Sequence, residues 1–289
     1  MQEGIVIINE NGYFTVQDQS GHRYMTKVRG RLKQNRYRIL VGDRVKFSAV
    51  NETEGWIEEV LPRKNALRRP PVSNIDQVLL VVAAHHPDIN NLLLNKLLVM
   101  IEDEEIPVVL CINKWDLADD ESEKLATLYR EAGYEVLCTS TWKECGLDKL
   151  RKTLTGHVTA LAGPSGVGKS SLLNAIDAGF TFQTGTISDK TKRGRHTTRH
   201  ASLYALDDES FIMDTPGFSA LDFTDLTETR LASLFPEFLR YEEGCKFSPC
   251  SHVHEPICGI KEALAARKIA SSRYEAYLSI RNEILTSKK

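Results

Sequence analysis

The stretch VTALAGPSGVGKSSLLNAI, from Val158 to Ile176, decides the fold because it reads as a buried strand, a glycine-rich loop and a helix in direct succession. The loop matches the pattern G-x-x-x-x-G-K-[ST], in which backbone N–H groups and a helix N-terminus surround the phosphates of a nucleotide. The sequence therefore predicts an α/β domain with a phosphate-binding loop (P-loop). Its predicted nucleotide-binding residues are Gly163, Pro164, Ser165, Gly166, Val167, Gly168, Lys169, Ser170 and Ser171.

Apolar runs alternate with helical stretches on both sides of this loop. The runs are VLLVVAA, PVVLCIN, EVLCTS, VTALAG, SLYALD and SFIMD, and the helical stretches include NLLLNKLLVMIEDE and DDESEKLATLYREAG. Buried strands of a mainly parallel sheet, joined by crossover helices, produce this pattern. We therefore predict about six strands for the domain, which ends near DTPGF.

The tetrapeptide NKWD, from Asn113 to Asp116, precedes the P-loop and is typical of guanine recognition. The Asp116 carboxylate can accept hydrogen bonds from N1–H and N2–H of guanine, whereas adenine offers no such pair of donors. The aliphatic stem of Lys114 is predicted to cover the base, and Ser140 at the end of EVLCTS to lie beside guanine O6. The order along the chain is thus guanine reader, O6 loop and then P-loop, a rotated order for a GTPase.

The tetrapeptide DTPG, from Asp214 to Gly217, follows the predicted strand SFIMD. Asp214 is expected near Mg²⁺, together with the Ser170 hydroxyl, and the N–H of Gly217 near the γ-phosphate. Because this motif comes last in the rotated order, the segment after residue 220 is attached directly to the loop that senses the γ-phosphate.

The basic segment GTISDKTKRGRHTTRH, between the P-loop and DTPG, is interpreted as switch I. Thr198, or alternatively Thr197, would close over Mg²⁺ and the γ-phosphate. After DTPG comes Phe218, whose apolar side chain cannot orient the attacking water. His196 is the candidate for that role, and a solvated loop histidine is the alternative. Lys169, Thr198 and His196 are therefore the predicted catalytic residues.

A cysteine-rich cluster follows, with the spacing C-x4-C-x-H-x5-C. Three thiolates and one imidazole suit a closed tetrahedral zinc site of the structural kind. The predicted ligands are Cys245, Cys250, His252 and Cys258, and His254 is a competing imidazole two residues further on. A buried cysteine cluster without metal is the other reading of this pattern.

The first seventy residues read as five short strands separated by Asn-Gly, Ser-Gly and Gly-Asp turns, a pattern that predicts a small OB-type barrel. Nine basic residues and one acid lie between Arg23 and Lys46, as on a surface that contacts phosphates; a merely solvated face is the alternative. LPRKNALRRPPVSN, from Leu61 to Asn74, is interpreted as a linker. We predict three domains: a barrel at 1–68, a GTPase domain at 69–221, and a zinc-binding helical domain at 222–289.

Composition excludes several other classes. No apolar run is long enough to cross a membrane, and the start MQEGIVIINENG lacks the features of a signal peptide. Of the six cysteines, Cys111 and Cys138 fall in apolar strand-like runs and three others crowd between residues 245 and 258, which argues against a disulfide framework. A cytoplasmic location, without a membrane partner, is the expectation.

These motifs resemble those of the circularly permuted GTPases of the RsgA type, which depend on the small ribosomal subunit. The resemblance covers essentially the whole chain and includes VGDRV, LRRPPVSNIDQVLLV, NKWD, GPSGVGKSSLLN, RGRHTTRH, DTPGF and CKFSPCSHVHEPICGI. It implies an OB barrel, a permuted GTPase domain and a zinc domain.

The resemblance also implies hydrolysis of GTP to GDP, stimulated by the 30S subunit during late maturation. Mg²⁺ is the expected cofactor beside GTP, the expected partner is the 30S subunit with its 16S rRNA, and the protein is expected to be a monomer. It implies zinc on Cys245, Cys250, His252 and Cys258, and a catalytic role for His196. The sequence leaves two alternative functions open. One is a GTPase that acts on tRNA or another RNA, and the other is a nucleic-acid-binding module whose nucleotide site is only structural.

Overall fold

The computed structural model describes residues 1–10, 12–29, 38–67, 71–177, 202–207, 209–214, 223 and 226–287, and groups the chain into two compact units. The first unit contains Met1–Leu79, Leu147–Ala162 and Lys169–Ser219. The second contains Leu80–Gly146, Gly163–Gly168 and Ala220–Lys289. These units group residues by contact, whereas the three predicted domains are segments of sequence, so the boundaries at 68 and 221 stay predictions.

The first unit begins with a closed five-stranded barrel. Its strands are β1 (Gln2–Glu10), β2 (Tyr13–Asp18), β3 (Arg23–Val28), β4 (Arg44–Ala49) and β5 (Glu54–Val60). β1–β2, β2–β3, β4–β5 and β1–β4 pair antiparallel, and β3–β5 pair parallel, which closes the ring in the order 1-2-3-5-4. Alternate residues such as Val16, Phe47 and Ile57 fill its interior. The OB-type barrel is therefore confirmed.

The segment interpreted as a linker is instead packed against the barrel. Its two short strands, β6 (Ala66–Leu67) and β7 (Val72–Ser73), pair with each other. The fully buried carboxylate of Asp43 accepts hydrogen bonds from Ser73 Oγ at 2.6 Å and from Arg63 Nε at 2.7 Å. A buried carboxylate needs such partners, so these bonds fix the segment to the turn before β4.

The first unit also contains five of the α/β elements and the start of a sixth. They are the start of β8 (Gln77–Ala83), α3 (Leu147–Leu154), β11 (Val158–Ala162), α4 (Lys169–Ile176), β12 (Ser202–Ala205) and β13 (Phe211–Asp214). β11 and β13 are parallel, β12 and β13 form an antiparallel pair, and Ile8 of β1 pairs with Ser202 of β12. The barrel and this part of the sheet are thus continuous.

The second unit contains the end of β8 and the remaining α/β elements. Its elements are α1 (Asn91–Asp103), β9 (Val108–Asn113), α2 (Asp120–Ala132) and β10 (Glu135–Cys138). β9 and β10 are parallel, as predicted. The side chains of Asn90 and Asp119 accept hydrogen bonds from the first turns of α1 and α2, so both helices begin with a favourable cap.

The C-terminal part of the second unit is helical. It contains α5 (Glu228–Leu231), α6 (Pro236–Leu239), α7 (Gly259–Ala265) and α8 (Ser271–Ser287), with short 3₁₀ turns at Ala232–Leu234 and Glu242–Gly244. Phe235, Phe238, Tyr277 and Ile280 form its core, together with Val99 from α1. Among the helices of the described ranges, none is long and apolar enough to cross a membrane.

Candidate functional site

The P-loop lies between β11 and α4, which begins at Lys169. Gly163 has a φ of +130°, and a Cβ there would stand 2.0 Å from the carbonyl oxygen of Val81. Gly168 has a φ of +94°, and a Cβ there would stand 2.4 Å from Asn113 Nδ2. Both positions therefore require glycine for two reasons, the left-handed backbone and the close approach of a neighbour.

Asn113 connects the NKWD motif to the P-loop. Its side chain is 2% exposed, and Nδ2 donates a hydrogen bond of 2.8 Å to the carbonyl oxygen of Val167. Its Oδ1 accepts from Thr139 Oγ1 at 3.2 Å. The predicted guanine reader and the predicted phosphate loop are thus neighbours in space, although they lie far apart along the chain.

Asp116 and Ser140 are also brought together. The Ser140 hydroxyl donates a short hydrogen bond to Asp116 Oδ1, and the Ser140 side chain is fully buried. This bond leaves the second carboxylate oxygen of Asp116 as an acceptor and fixes the orientation of the group. The predicted position of Ser140 beside guanine O6 stays a prediction, since the hydroxyl itself points to Asp116.

Lys114 has a left-handed backbone, with a φ of 57°. Its ammonium group donates to the carbonyl oxygens of Gly166, at 2.9 Å, and of His86. The aliphatic stem is therefore extended from the NKWD turn towards the P-loop. The predicted role of Lys114 as a cover for the base stays a prediction.

Thr139 is a further site residue that the sequence analysis did not single out. It is fully buried, contacts Asn113 as described, and lies 3.2 Å from Cys111 Sγ. Burial raises the pKa of the Cys111 thiol to about 12, so the thiol stays protonated. The sequence feature that could have indicated Thr139 is its position directly after β10. This strand is the parallel neighbour of β9, which ends at Asn113.

Several predicted site residues lie outside the described part of the chain. Thr197, Thr198, His196 and Gly217 belong to ranges that the structure does not describe, as does Phe218. Asp214 is the last residue of β13, and its side chain is likewise outside the description. The roles predicted for these residues in binding Mg²⁺, the γ-phosphate and water therefore stay predictions.

The four predicted zinc ligands converge in the second unit. One donor atom from each of Cys245, Cys250, His252 and Cys258 lies within 4.8 Å of the others. His254 is exposed and is not part of this cluster.

The donor distances match a tetrahedral zinc site. Cys245 Sγ lies 3.8 Å from Cys258 Sγ, and His252 Nδ1 lies 3.6 Å and 3.4 Å from these two sulfur atoms. A tetrahedron with Zn–S of about 2.3 Å and Zn–N of about 2.0–2.1 Å has S···S edges of about 3.8 Å and S···N edges of about 3.6 Å. The residues therefore fit this metal.

The protonation of the cluster also suits a cation. Burial lowers the pKa of His252, so its ring is neutral and offers a lone pair. Burial raises the pKa of the Cys250 thiol to about 12, so its thiolate needs a cation beside it. The backbone carbonyls of Ser251 and His252 accept hydrogen bonds from Tyr277 and Tyr274, at 2.8 and 2.6 Å, which ties the cluster to α8.

A buried ion pair in the second unit was missed by the sequence analysis. Arg273 of α8 donates to both carboxylate oxygens of Glu237, at 2.6 and 2.9 Å, and also to Asn95 Oδ1 of α1. Arg273 and Glu237 are 1% and 4% exposed. The sequence feature that could have indicated this pair is the position of Arg273 on the apolar face of α8. That face also carries Ala276, Tyr277, Ile280 and Ile284.

Two family models match the chain in succession. A model described as the RsgA N-terminal domain matches residues 3–57, and a model described as the RsgA GTPase matches residues 60–224. The second match covers more than half of the chain.

Named relatives extend over the full length. Proteins called small ribosomal subunit biogenesis GTPase RsgA are 44% identical in Geobacillus kaustophilus, covering 96% of each chain, and 41% identical in Alkaliphilus metalliredigens, covering 100% of each. The crystal structure of YjeQ from Thermotoga maritima is similar with a TM-score of 0.85 at 38% identity, covering 98% of each chain. That of YloQ, described as a circularly permuted GTPase, gives a TM-score of 0.84 at 35% identity, covering 100% of this chain and 96% of that one.

Proposed function

The chain belongs to the RsgA family of GTPases, and from that premise we propose that it hydrolyses GTP while acting on the small ribosomal subunit during late maturation. The observation that supports this most is the hydrogen bond from Asn113 Nδ2 to the carbonyl oxygen of Val167. This bond holds the NKWD motif beside the P-loop, so a single ligand can place its base at NKWD and its phosphates at the P-loop. Such a ligand is a guanine nucleotide.

In the proposed complex, Asp116 accepts from N1–H and N2–H of guanine, with its carboxylate oriented by Ser140. Each bond to a charged group is worth about 1.5–3 kcal/mol, which is enough to discriminate guanine from adenine. Asn113 acts indirectly, by holding the P-loop in place.

The phosphates lie on the backbone of residues 163–171, with Lys169 on the β and γ oxygens. Ser170, Asp214 and Thr198 are the residues that would hold Mg²⁺, which neutralises the charge on the β- and γ-phosphates when bound with GTP. Gly217 donates its N–H to the γ-phosphate. GTP thereby orders switch I and the DTPG loop, and hydrolysis releases them.

The attacking water is oriented by His196, since Phe218 has no polar group to offer. Turnover by the protein alone is slow in this proposal, because His196 takes its catalytic position only when a partner contacts it. Ordering by the subunit accelerates hydrolysis by several orders of magnitude, in line with about 10³–10⁵ for other GTPase activators.

The proposed partner is the 30S subunit with its 16S rRNA. The barrel supports this, because Arg23, Lys27, Arg29 and Lys46 lie on or just after its strands and the basic stretch continues between them. The four-ligand cluster would hold zinc as a structural metal that stabilises the C-terminal helices. A monomer in the cytoplasm suits this role.

Co-sedimentation tests the partner. We expect the protein to sediment with 30S subunits in the presence of a non-hydrolysable GTP analogue, and less with GDP. Binding to 50S subunits and to free tRNA should be much weaker. A Lys169→Ala variant should lose the nucleotide dependence. Equal binding to 30S, 50S and free RNA would contradict a specific small-subunit function.

A further inference from the structure

Trp142 is the most exposed aromatic side chain in the described part of the chain, with 86% of its surface accessible. A tryptophan side chain is large and mostly apolar, so leaving it in water forgoes the stabilisation that burial would give. The fold makes no use of the side chain. Such a residue is suited to stacking on a flat ligand.

The loop that presents Trp142 is held rigidly at its base. Ser140 and Cys145 exchange two backbone hydrogen bonds, of 3.0 and 3.1 Å, so residues 141–144 form a closed tip. The backbone N–H groups of Trp142 and Lys143 donate to Ser140 Oγ at 3.2 and 3.1 Å. The backbone under the indole is therefore pre-organised.

The Ser140 hydroxyl accepts a hydrogen bond from the backbone N–H of Trp142 and donates one to the Asp116 carboxylate. Ser140 therefore links the Trp142 backbone to the carboxylate that is proposed to bind guanine. The Lys114 stem runs from the same NKWD turn to Gly166. Both the Trp142 loop, through Ser140, and the Lys114 stem are therefore connected to the turn that carries the Asp116 carboxylate.

We propose that Trp142 stacks on the guanine base of the bound nucleotide, opposite the stem of Lys114. This inference rests on the proposed function, because it requires a guanine nucleotide at Asp116. Stacking uses the π-face that every base has, so Trp142 contributes affinity for the nucleotide and leaves the discrimination of guanine to Asp116.

Binding of GDP by calorimetry, with unlabelled nucleotide, tests the proposal. We expect Trp142→Ala to weaken GDP binding by roughly 5- to 30-fold, the lower part of the range measured for base–aromatic stacking. Trp142→Phe should retain most of the affinity. Because the indole is exposed, both variants should unfold at the temperature of the wild-type protein.

Two controls separate stacking from other effects. Inorganic tripolyphosphate has no base, so its affinity should be the same in the wild type and in Trp142→Ala. GDP should change the tryptophan fluorescence of the wild type, and Trp142→Phe should lose that change while it still binds GDP. The other two tryptophans, Trp56 and Trp115, are present in both proteins.

The outcomes are distinct. Equal GDP affinity in the wild type and in Trp142→Ala, or an unchanged fluorescence response in Trp142→Phe, overturns the stacking role but leaves the GTPase intact. If only binding to the 30S subunit changes in Trp142→Ala, the side chain serves the ribosome and the proposal is again wrong. A wild-type protein that binds no GDP at all contradicts the proposed function itself.

Discussion

At the scale of single residues, the close approach of Gly168 to Asn113 joins the P-loop to the NKWD motif. A methyl group at Gly168 would meet the Asn113 amide at 2.4 Å, so the two motifs cannot keep their present distance if residue 168 has a side chain. The hydrogen bond from Asn113 to Val167 would have to break or shift. Nucleotide binding should therefore be more sensitive to this position than global stability is.

We predict that Gly168→Ala reduces GDP affinity by at least about tenfold, which corresponds to the loss of roughly one good hydrogen bond. Gly156→Ala is the matched control, because Gly156 also has a positive φ, of +74°, but no atom within 4 Å of the added Cβ. It should cost about 1 kcal/mol of stability through backbone strain alone and leave GDP affinity unchanged. Comparable GDP affinity in the two variants would contradict the contact.

His196 provides a second prediction at this scale. His196→Ala should bind GDP as the wild type does, yet its subunit-stimulated rate should fall by roughly 10²–10⁴, the usual contribution of a group that handles a proton or orients water. Single-turnover hydrolysis with saturating 30S subunits measures this directly. A stimulated rate equal to that of the wild type would remove His196 from the mechanism.

At the scale of elements, the zinc segment depends on one of two nearby imidazoles. His252 is 5% exposed and within the donor cluster, whereas His254 is exposed. We predict that His252→Ala loses most of the bound zinc and unfolds at a lower temperature, while His254→Ala keeps one zinc per chain. Metal content by mass spectrometry of the purified variants decides between them, and zinc loss in His254→Ala alone would refute the assignment.

The ion pair between Arg273 and Glu237 is buried in the second unit, so removing only one of the two charges should destabilise that unit. Arg273→Met leaves the buried Glu237 carboxylate without its partner, which typically costs about 3–5 kcal/mol of unfolding free energy. The double variant Arg273→Met, Glu237→Leu removes both charges and should recover much of that loss. Denaturant unfolding of Arg273→Met, Glu237→Leu and the double variant, each compared with the wild type, measures the effect. Additive losses in the double variant would show that the two side chains are not coupled.

Most elements were predictable because each depends on local pattern. Alternating apolar residues indicated the barrel strands, and continuous apolar runs indicated β8, β9 and β11. The packed segment before β7 was missed, since its structure depends on Asp43, thirty residues earlier in the chain. The Arg273 pair was missed for the same reason, because its partners Glu237 and Asn95 lie far away in sequence. Within the site, motifs predicted which residues meet, but not that Thr139 supports them.

At the scale of the whole molecule, the rotated motif order has a functional consequence. The chain leaves the DTPG loop directly into the segment that leads to the metal cluster, so this segment is attached to the loop predicted to sense the γ-phosphate. The N-terminal barrel is joined to the GTPase sheet by the pairing of β1 with β12. In the sequence, β12 directly follows the segment interpreted as switch I. Both appended regions therefore join the chain next to the two loops that are predicted to sense the nucleotide, as expected for a switch that reports its nucleotide state to a large partner.

The most direct test is the rate of GTP hydrolysis by the purified protein alone, with 30S subunits, and with 50S subunits. We predict slow turnover by the protein alone and with 50S subunits, and a stimulation of several orders of magnitude with 30S subunits. The same slow rate in all three samples would contradict the claim that the small subunit completes the active site.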